Sequence, residues 1–332
     1  MKNILITGGL GFIGSSLVGK LISSDYSICI IDKGNIEKSI KGNPNISSWI
    51  KKFDTSSDSY FKGEGNFFLN EDLLSTNLDK LISKSDVIIH LSANPGVQLS
   101  IESPELDLKE NLLSTFKLIE SIRKSGDSSK KIIFSSSAAP LAGNNTMPIN
   151  ENLPYKPLSP YGASKASSES YLQAYANAFS LKTLILRFSN IYGPGSILKG
   201  SVVANMIKSC INKSEINIYG DGLQTRDFVY IDDLINIIIF CIENHSFIDS
   251  SPIHVCSGIP TSIKSLANMI KEEMSEVGFS NVNIRYLNPL KGDARENYSS
   301  NKKLIDSGFP VVKKLSKIRI KTTIDFFLKN LY

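Results

Sequence analysis

The chain has 332 residues, of which 41% are apolar and 21% are charged. This length suits about two structural units, and the composition is that of a packed globular protein rather than a disordered chain. The formal net charge of +5 comes from scattered lysines, and their closest cluster, Lys130-Lys131, is too short for a nucleic-acid-binding patch. We therefore expect no nucleic-acid partner. The positive charge is equally compatible with a small ligand that carries phosphate.

Targeting and metal-binding signals are weak. The longest apolar run, Ile237 to Ile242, is far shorter than the roughly 18 residues that cross a bilayer. The chain enters a strand-like segment at Asn3 without a signal-peptide apolar region, so we expect a cytoplasmic protein without a membrane partner. The four cysteines lack metal-ligand spacing, which predicts buried thiols and no metal site; they are Cys29, Cys210, Cys241 and Cys256.

Short runs of Ile, Val and Leu alternate with helical stretches through the first half of the chain, which is typical of βαβ units around a parallel sheet. The predicted strands are Asn3 to Thr7, Ser27 to Asp32, Asn66 to Leu69, Val87 to Leu91, Lys131 to Ser135 and Thr183 to Phe188. Helices are predicted over Leu106 to Arg123 and Tyr161 to Phe179. The expected fold class is α/β, with a Rossmann-type doubly wound parallel sheet and a smaller C-terminal α/β lobe.

Glycine- and proline-containing turns break this regular pattern after Phe188. A predicted helix over Ile231 to Asn244 and a strand over Pro252 to Cys256 can return to the sheet. We therefore expect a dinucleotide-binding domain over residues 1–188, joined by residues 229–258. Residues 189–228 and 259–332 would form the substrate-binding lobe. The segment 34–64 is rich in Ser, Lys and Asn and is predicted to be a long surface loop.

The first predicted strand leads directly into Gly8-Gly9-Leu10-Gly11-Phe12-Ile13-Gly14, and a helical pattern follows. Glycines in this spacing allow a tight turn and a close approach of a diphosphate to bare backbone at the positive end of the next helix. The strand before and the helix after are the context that this motif requires. The predicted diphosphate site consists of Gly8, Gly11, Phe12, Ile13 and Gly14.

Acidic residues near the ends of the next two strands indicate which dinucleotide binds. Asp32 lies eighteen residues beyond Gly14, where a carboxylate accepts hydrogen bonds from ribose hydroxyls and repels the extra phosphate of NADP. NAD is therefore expected, although the adjacent Lys33 weakens this preference. Asp72 is placed to bond adenine, or is a solvated loop residue. His90, in an apolar strand, is interpreted as a core histidine.

A serine-rich strand end and a Tyr-x-x-x-Lys sequence predict a catalytic site. Ser135-Ser136-Ser137 end the fifth strand, and Tyr161-Gly162-Ala163-Ser164-Lys165 open the following helix. Tyr161 and Lys165 share one helical face, and an ammonium beside a phenol is expected to lower its pKa toward that of a general base. A nearby serine hydroxyl can then orient the substrate oxygen.

Taken together, these motifs resemble the extended short-chain dehydrogenase/reductases, and within them the NAD-dependent nucleotide-sugar epimerases of the UDP-glucose 4-epimerase type. The resemblance covers nearly the whole chain. Its motifs are Thr7 to Gly14, Asp32, His90 to Ala93, Asn111, Phe134 to Ser137, Ser159 to Lys165, Leu186 to Pro194, Tyr219 to Gly222 and Arg226 to Phe228. The further NAD contacts that it implies are Asp72, Leu73, Leu91, Ala93, Asn111, Tyr161 and Lys165.

The resemblance also implies the chemistry. Tyr161 would be the base on the sugar 4-hydroxyl, Lys165 its pKa partner and ribose anchor, and Ser137 the partner of the 4-oxygen. The reaction would be 4-epimerisation of UDP-glucose or UDP-N-acetylglucosamine through a 4-keto intermediate, as in the synthesis of cell-surface polysaccharides. The residues implied to hold the nucleotide sugar are Ser137, Asn190, Arg226, Asp293 and Asn297.

Two places depart from the family pattern, and a further position, Asn297, bears on the substrate. The aromatic residue expected four positions after Ser137 is Leu141, and the second diphosphate arginine is replaced by Leu290-Lys291, so Lys291 or Arg295 would have to compensate. Asn297 stands where the family excludes N-acetyl groups with a bulky Tyr or admits them with a smaller residue. We therefore expect Asn297 to leave room for an N-acetylhexosamine.

Two other functions remain open. Related dehydratases carry acidic residues just after the Ser or Thr, where this chain has Ala138-Ala139, so dehydration is disfavoured. An NAD(P)H-dependent reductase of nucleotide 4-keto sugars uses the same Ser, Tyr and Lys and is the closest alternative. A non-catalytic dinucleotide sensor is also possible on this fold, although Ser137, Tyr161 and Lys165 are intact.

A homodimer is expected from the resemblance. In the family, the helices predicted at Leu106 to Arg123 and at Tyr161 to Phe179 pack against their copies as a four-helix bundle. Leu118, Tyr171 and Tyr175 are predicted to supply the apolar contact, unless they belong to the core of the monomer.

Overall fold

A computed structural model describes residues 2–55, 65–244, 250–290 and 294–331. Its centre is a sheet of seven parallel strands. These strands are β1 (Lys2–Thr7), β2 (Tyr26–Ile31), β3 (Phe67–Leu69), β4 (Val87–His90), β5 (Lys131–Ser137), β6 (Lys182–Phe188) and β11 (Ile253–Val255). Their order is β11-β6-β5-β4-β1-β2-β3, which confirms the predicted doubly wound Rossmann-type sheet.

Helices cover both faces of the sheet and the C-terminal lobe. They are α1 (Phe12–Leu21), α2 (Ile36–Gly42), α3 (Ile46–Ile50), α4 (Asp79–Lys84), α5 (Val97–Glu102), α6 (Pro104–Asp107), α7 (Ser114–Lys124), α8 (Pro160–Phe179), α9 (Val202–Lys213), α10 (Ile231–Glu243), α11 (Ile263–Glu276), α12 (Lys302–Asp306) and α13 (Lys317–Leu331). A π-helical segment, Leu108–Leu113, joins α6 to α7, and a 3-10 turn covers Ala139–Leu141.

The alternation of side chains along the strands produces two apolar cores. In β1, Ile4 and Ile6 face the core that includes α1 and α10, whereas Leu5 faces the one that includes α4, α7 and α8. Strands buried on both faces are nearly continuously apolar, which is why the sequence shows runs of Ile, Val and Leu. Leu118 is fully buried in the second core, so for this residue the alternative that it belongs to the core of the monomer is confirmed.

Three smaller sheets lie beyond the end of β6. β7 (Asn190–Tyr192) pairs with β10 (Phe228–Tyr230), and β8 (Glu215–Tyr219) pairs with β13 (Asn283–Leu287). β9 (Thr225–Arg226) lies between β12 (Thr261–Ser262) and β14 (Glu296–Asn297). Between β10 and β12 the chain returns to the first unit, because α10 packs on α1 and β11 pairs with β6.

The segment predicted as a surface loop is partly helical. Within the part of residues 34–64 that the structure describes, α2 and α3 form, and Ile46, Trp49 and Phe53 are buried in the core beside α1. The prediction failed because the polar composition concealed apolar residues three or four positions apart, the spacing of a helix that packs by one face. Among the described residues, no helix is both long and apolar enough to cross a membrane.

We predict that Gly14→Ala destabilises the protein and reduces the NAD that remains bound. A Cβ at Gly14 would overlap the Gly8 carbonyl oxygen and the Gly9 Cα, and overpacking of this kind costs about 1–3 kcal/mol. Gly19→Ala in the same helix is the control, since its Cβ would meet only the Trp49 side chain at 3.9 Å and gain roughly 0.5–1 kcal/mol from helix propensity. Thermal unfolding and NAD content measure both effects. Equal stability of the two variants would contradict the prediction.

Candidate active site

Most of the residues predicted to hold a cofactor follow the carboxyl ends of parallel strands. Gly8 follows β1, Asp32 follows β2, Asp72 lies just beyond β3, and Leu91 follows β4. In a parallel sheet these ends lie along one edge, and the crevice forms where the strand order reverses, here between β1 and β4. The fold therefore gathers residues from distant parts of the sequence at one edge.

The turn between β1 and α1 fits a dinucleotide diphosphate. Gly8 has φ +75°, and a Cβ there would lie 2.8 Å from the Ser92 amide nitrogen, so only glycine fits without strain. α1 starts at Phe12, and its N-cap, Gly11, makes no side-chain capping bond. The amides of the first turn therefore lack a side-chain acceptor, and together with the helix dipole they favour an anion.

Asp32 stands at the edge of this turn. One carboxylate oxygen accepts from the Leu10 amide (2.9 Å) and the other from the Gly34 amide (2.7 Å). Burial raises the pKa of Asp32, although these two bonds oppose the change. Each carboxylate oxygen has a further lone pair, so the residue can still accept bonds from ribose hydroxyls.

Lys33 is held by carboxylates. Its ammonium lies 3.2 Å from Asp72 and 2.5 Å from Glu110, which removes the reason for expecting it to attract the phosphate of NADP. Asp72 also accepts from the Leu74 amide at 2.8 Å, so its carboxylate already has two partners. Leu73 beside it is buried.

The predicted catalytic residues come together at the ends of β5 and α8. Ser137 is the last residue of β5, and Tyr161 lies in the first turn of α8, where the Ser159 hydroxyl caps the helix by accepting from the Gly162 amide at 3.2 Å. A hydrogen bond from Ser137 acts to lower the pKa of Tyr161. The Lys165 ammonium donates to the Ser135 carbonyl at 2.9 Å and lies 4.8 Å from the centre of the Phe134 ring.

Burial dominates the protonation of this pair. It raises the pKa of Tyr161 to about 12, and it lowers the pKa of Lys165 to about 8. The prediction that Lys165 lowers the pKa of Tyr161 is therefore wrong for the protein alone, because desolvation of the phenolate outweighs the Ser137 hydrogen bond and the Asp107 carboxylate adds to the increase. Tyr161 is therefore protonated at neutral pH in the protein alone.

A buried ion pair that the sequence analysis missed supports the catalytic residues. Glu169, one helical turn beyond Lys165, receives two bonds from the Arg187 Nε and one, 2.7 Å long, from its Nη2. The Ser136 hydroxyl and the Tyr155 hydroxyl also donate to Glu169. The sequence did contain a signal for this pair: Arg187 lies in a predicted buried strand, and buried charges are normally paired.

Two further buried polar residues fix the neighbouring backbone. His90 contacts Thr7 Oγ1 (2.7 Å) and Thr115 Oγ1 (3.0 Å), and burial lowers its pKa to about 3. It is a neutral core histidine, as interpreted from the sequence. Asn111 accepts from the Asn94 amide at 2.7 Å, which fixes the loop that contains Ala93.

The residues predicted to hold the nucleotide sugar lie on neighbouring short strands. Asn190 begins β7 and donates from Nδ2 to the Asp227 carbonyl at 3.0 Å. Arg226 in β9 is paired in register with Asn297 in β14. The structure thus places Asn190, Arg226 and Asn297 around Asp227, whereas Asp293 and Lys291 lie outside the described residues.

Asp227 connects this group to the main sheet and was not identified from the sequence. Its carboxylate accepts from the amides of Ser257 (3.0 Å) and Gly258 (2.7 Å), just after β11. Burial raises its pKa to about 6. Arg295, one of two expected replacements for the missing diphosphate arginine, is exposed and pairs with Asp221 at 2.7 Å.

Lys199 is a further residue that the sequence analysis missed. Its ammonium donates to the Ile191 carbonyl at 2.9 Å and lies 5.3 Å from the centre of the ring of Phe12, the first residue of α1. Burial lowers its pKa to about 8. No carboxylate within ion-pair distance of this amine is found in the described part of the chain.

We predict that Glu169→Gln lowers the free energy of unfolding by about 3–5 kcal/mol, because it leaves the buried Arg187 guanidinium without its charged partner. Glu120→Gln is the control: Glu120 pairs with Arg123 on the surface, and loss of such a pair costs at most about 1 kcal/mol. Urea unfolding measures both. A loss below 1 kcal/mol for Glu169→Gln would show that the buried pair does not stabilise the site.

Comparison with known proteins agrees with this geometry. The family model described as the NAD dependent epimerase/dehydratase family matches residues 4–256. A putative UDP-glucose 4-epimerase from Methanocaldococcus jannaschii is 35% identical over 311 residues, which are 92% of each chain.

Two solved structures have the same fold over nearly their whole length. A UDP-N-acetylglucosamine 4-epimerase from Methanobrevibacter ruminantium has a TM-score of 0.82 and 29% identity, with 99% of this chain and 98% of that one covered. A UDP-glucuronic acid 4-epimerase from Bacillus cereus, in complex with UDP-glucuronic acid and NAD, has a TM-score of 0.83 and 28% identity, with 99% and 100% covered. The chain is therefore an enzyme of the NAD-dependent epimerase/dehydratase family, within the extended short-chain dehydrogenase/reductases, and its cofactor is NAD.

Proposed function

We propose that the protein is a 4-epimerase of UDP-sugars, with Tyr161 as the base. The observation that carries this proposal is the Ser137–Tyr161 pair at the carboxyl ends of the parallel strands. Ser137 is followed by Ala138 and Ala139 rather than by acidic residues. The similarity to UDP-glucose and UDP-N-acetylglucosamine 4-epimerases supports the same reaction.

Several described residues are suited to hold NAD. The first-turn amides at Phe12 and Ile13 would bind its diphosphate, and Asp32 would accept bonds from the adenosine ribose. Asp72 and Leu73 would lie against the adenine. The remaining contacts are proposed to come from Gly8, Gly11, Gly14, Leu91, Ala93, Asn111, Tyr161 and Lys165.

Tyr161 takes the proton of the sugar 4-hydroxyl and later returns it, while the Ser137 hydroxyl holds the 4-oxygen. Lys165 anchors the nicotinamide ribose. When bound, NAD would supply a hydride acceptor and donor for C4, and the positive charge of its nicotinamide ring would favour the phenolate of Tyr161. Burial raises the pKa of Tyr161, so we propose that the charge of the bound ring acts together with Lys165 to make the phenol available as a base.

The short strands would bind the nucleotide part of the substrate. The guanidinium of Arg226 can donate two parallel hydrogen bonds to the diphosphate. Asn190 is held near Arg226, because its side-chain amide donates to the carbonyl of the next residue, Asp227. Asp293 is proposed to contact the uridine ribose. Asn297, in register with Arg226, would leave space for an N-acetyl group, so we propose UDP-N-acetylglucosamine as the preferred substrate and UDP-glucose as the alternative.

The residues that directly follow Ser137 argue against dehydration. Loss of water from the sugar needs an additional acid and base beside Tyr161. Ala138 is buried, and the 3-10 turn that follows it contains only Ala139, Pro140 and Leu141. One-way reduction of a 4-keto sugar remains the competing function, since it uses the same three catalytic residues.

We also propose that the protein is a cytoplasmic homodimer and takes part in polysaccharide synthesis. Phe116 on α7 and Tyr171 on α8 are exposed and stack edge to face, with ring centroids 5.4 Å apart. Tyr175 lies next to both rings and is partly buried. Leu113 and Phe179 extend the exposed apolar face, and a two-fold copy would cover it.

The test is to incubate the purified protein, with no added cofactor, with UDP-N-acetylglucosamine or UDP-glucose, and to follow the C4 configuration by proton NMR. We expect the galacto epimer from both sugars, and faster from the N-acetyl sugar. Turnover that requires added NADH would instead identify a reductase, and formation of a 4-keto-6-deoxy sugar would identify a dehydratase.

The Asn297→Tyr variant tests the substrate preference in the same assay. A bulky ring beside Arg226 should reduce the rate on UDP-N-acetylglucosamine at least tenfold, which corresponds to about 1.4 kcal/mol. The rate on UDP-glucose should stay within about twofold of that of the unsubstituted protein. An unchanged rate on the N-acetyl sugar would show that Asn297 does not determine the preference.

A further inference from the structure

Lys199 carries a positive charge that the mechanism above does not use. It lies in the segment between β7 and α9 and is partly buried. A lysine ammonium has three N–H donors, and among the described residues its one hydrogen-bond acceptor is the Ile191 carbonyl oxygen at 2.9 Å. The remaining donors and the charge are therefore available to another group, and a charge withdrawn from water is costly unless it is paired.

The segment that carries Lys199 packs across the first turn of α1. Ser15, in that turn, accepts a hydrogen bond from Asn43 Nδ2 at 3.0 Å. A Cβ at Gly195 would lie 2.9 Å from the same nitrogen, so the backbone of the segment passes directly over this contact. The Lys199 ammonium lies 5.3 Å from the centre of the Phe12 ring. Lys199 is thus held beside the turn that is proposed to bind the diphosphate of NAD.

The turn itself supplies no charged side chain. The sequence from Gly8 to Gly19 contains only glycine, serine and apolar residues. A diphosphate would meet backbone amides there, together with a helix dipole that is equivalent to about half a positive charge. Lys33, which follows the second strand, is already paired with Asp72 and Glu110. Lys199 can therefore supply the full positive charge that the turn lacks.

We propose that Lys199 is a cofactor-binding residue whose ammonium pairs with the diphosphate of NAD. Phosphate oxygens would accept from its remaining N–H donors, while the Ile191 carbonyl and the Phe12 ring hold the amine in place. The contact would connect the segment after β7 to the bound cofactor. This role depends on NAD being the cofactor and not on which reaction the enzyme catalyses.

Two variants separate the charge of Lys199 from its hydrogen bond to Ile191. Lys199→Gln is neutral but keeps an N–H donor for the carbonyl, whereas Lys199→Arg keeps both the donor and the charge. Lys213→Gln, at an exposed position at the end of α9, is the matched control. For each purified holoenzyme, the exchange of bound NAD with carbon-14-labelled NAD is followed over time at low and at high NaCl concentration.

We expect Lys199→Gln to release NAD about tenfold faster, or more, than the unsubstituted protein at low salt, since it lacks a charge-assisted bond. Lys199→Arg and Lys213→Gln should stay within about threefold of the unsubstituted protein. Should Lys199→Gln fail to fold, Lys199→Met, which keeps an apolar stem beside Phe12, supplies the same comparison.

The salt dependence distinguishes an ion pair from a structural role. Screening weakens an ammonium–phosphate pair, so NaCl should accelerate NAD release from the unsubstituted protein more than from Lys199→Gln. Equal NAD release from these two proteins, or an equal effect of salt on both, would overturn the proposal. Weaker binding of UDP in equilibrium dialysis, with NAD release unchanged, would also overturn it, because the ammonium would then serve the diphosphate of the substrate.

Discussion

Desolvation around the Tyr161–Lys165 pair is the constraint on which the rest of the site depends. Lys165 is buried and Tyr161 is half-buried. Desolvation favours the neutral form of each group, and it raises the pKa of Tyr161 and lowers that of Lys165. In the proposed mechanism, the positive charge of the bound cofactor would offset this effect and make Tyr161 available as a base.

Tyr161 and Lys165 are held in place by buried hydrogen bonds and an ion pair around them. Glu169 and Arg187 join α8 to β6, while the Ser136 hydroxyl ties the same carboxylate to β5 beside Ser137. Buried ion pairs contribute little net stability compared with apolar packing. Their value here is geometric, because the pair fixes the rotation of α8 and hence the direction of Tyr161 and Lys165.

The sequence predicted the sheet well because parallel strands buried on both faces carry unbroken apolar runs, and because the glycine turn has a distinct spacing. It failed at residues 36–50, where apolar side chains such as Trp49 are diluted by Ser, Lys and Asn. Asp227 and Lys199 could not be found, since Asp227 accepts from the amides of Ser257 and Gly258 and Lys199 lies against Phe12, all of which are distant in the sequence. The effect of Lys165 on Tyr161 was mispredicted because helical spacing gives proximity but not burial.

In the proposed mechanism, one cofactor molecule that stays in the site would receive the C4 hydride and return it to the same sugar. This can be measured with a UDP-sugar that carries deuterium at C4, incubated with the purified protein in ordinary water, with mass spectrometry and NMR of the separated epimers. We expect the epimer to keep its deuterium at C4. Loss of the label to water, or its transfer to added NAD, would contradict this mechanism.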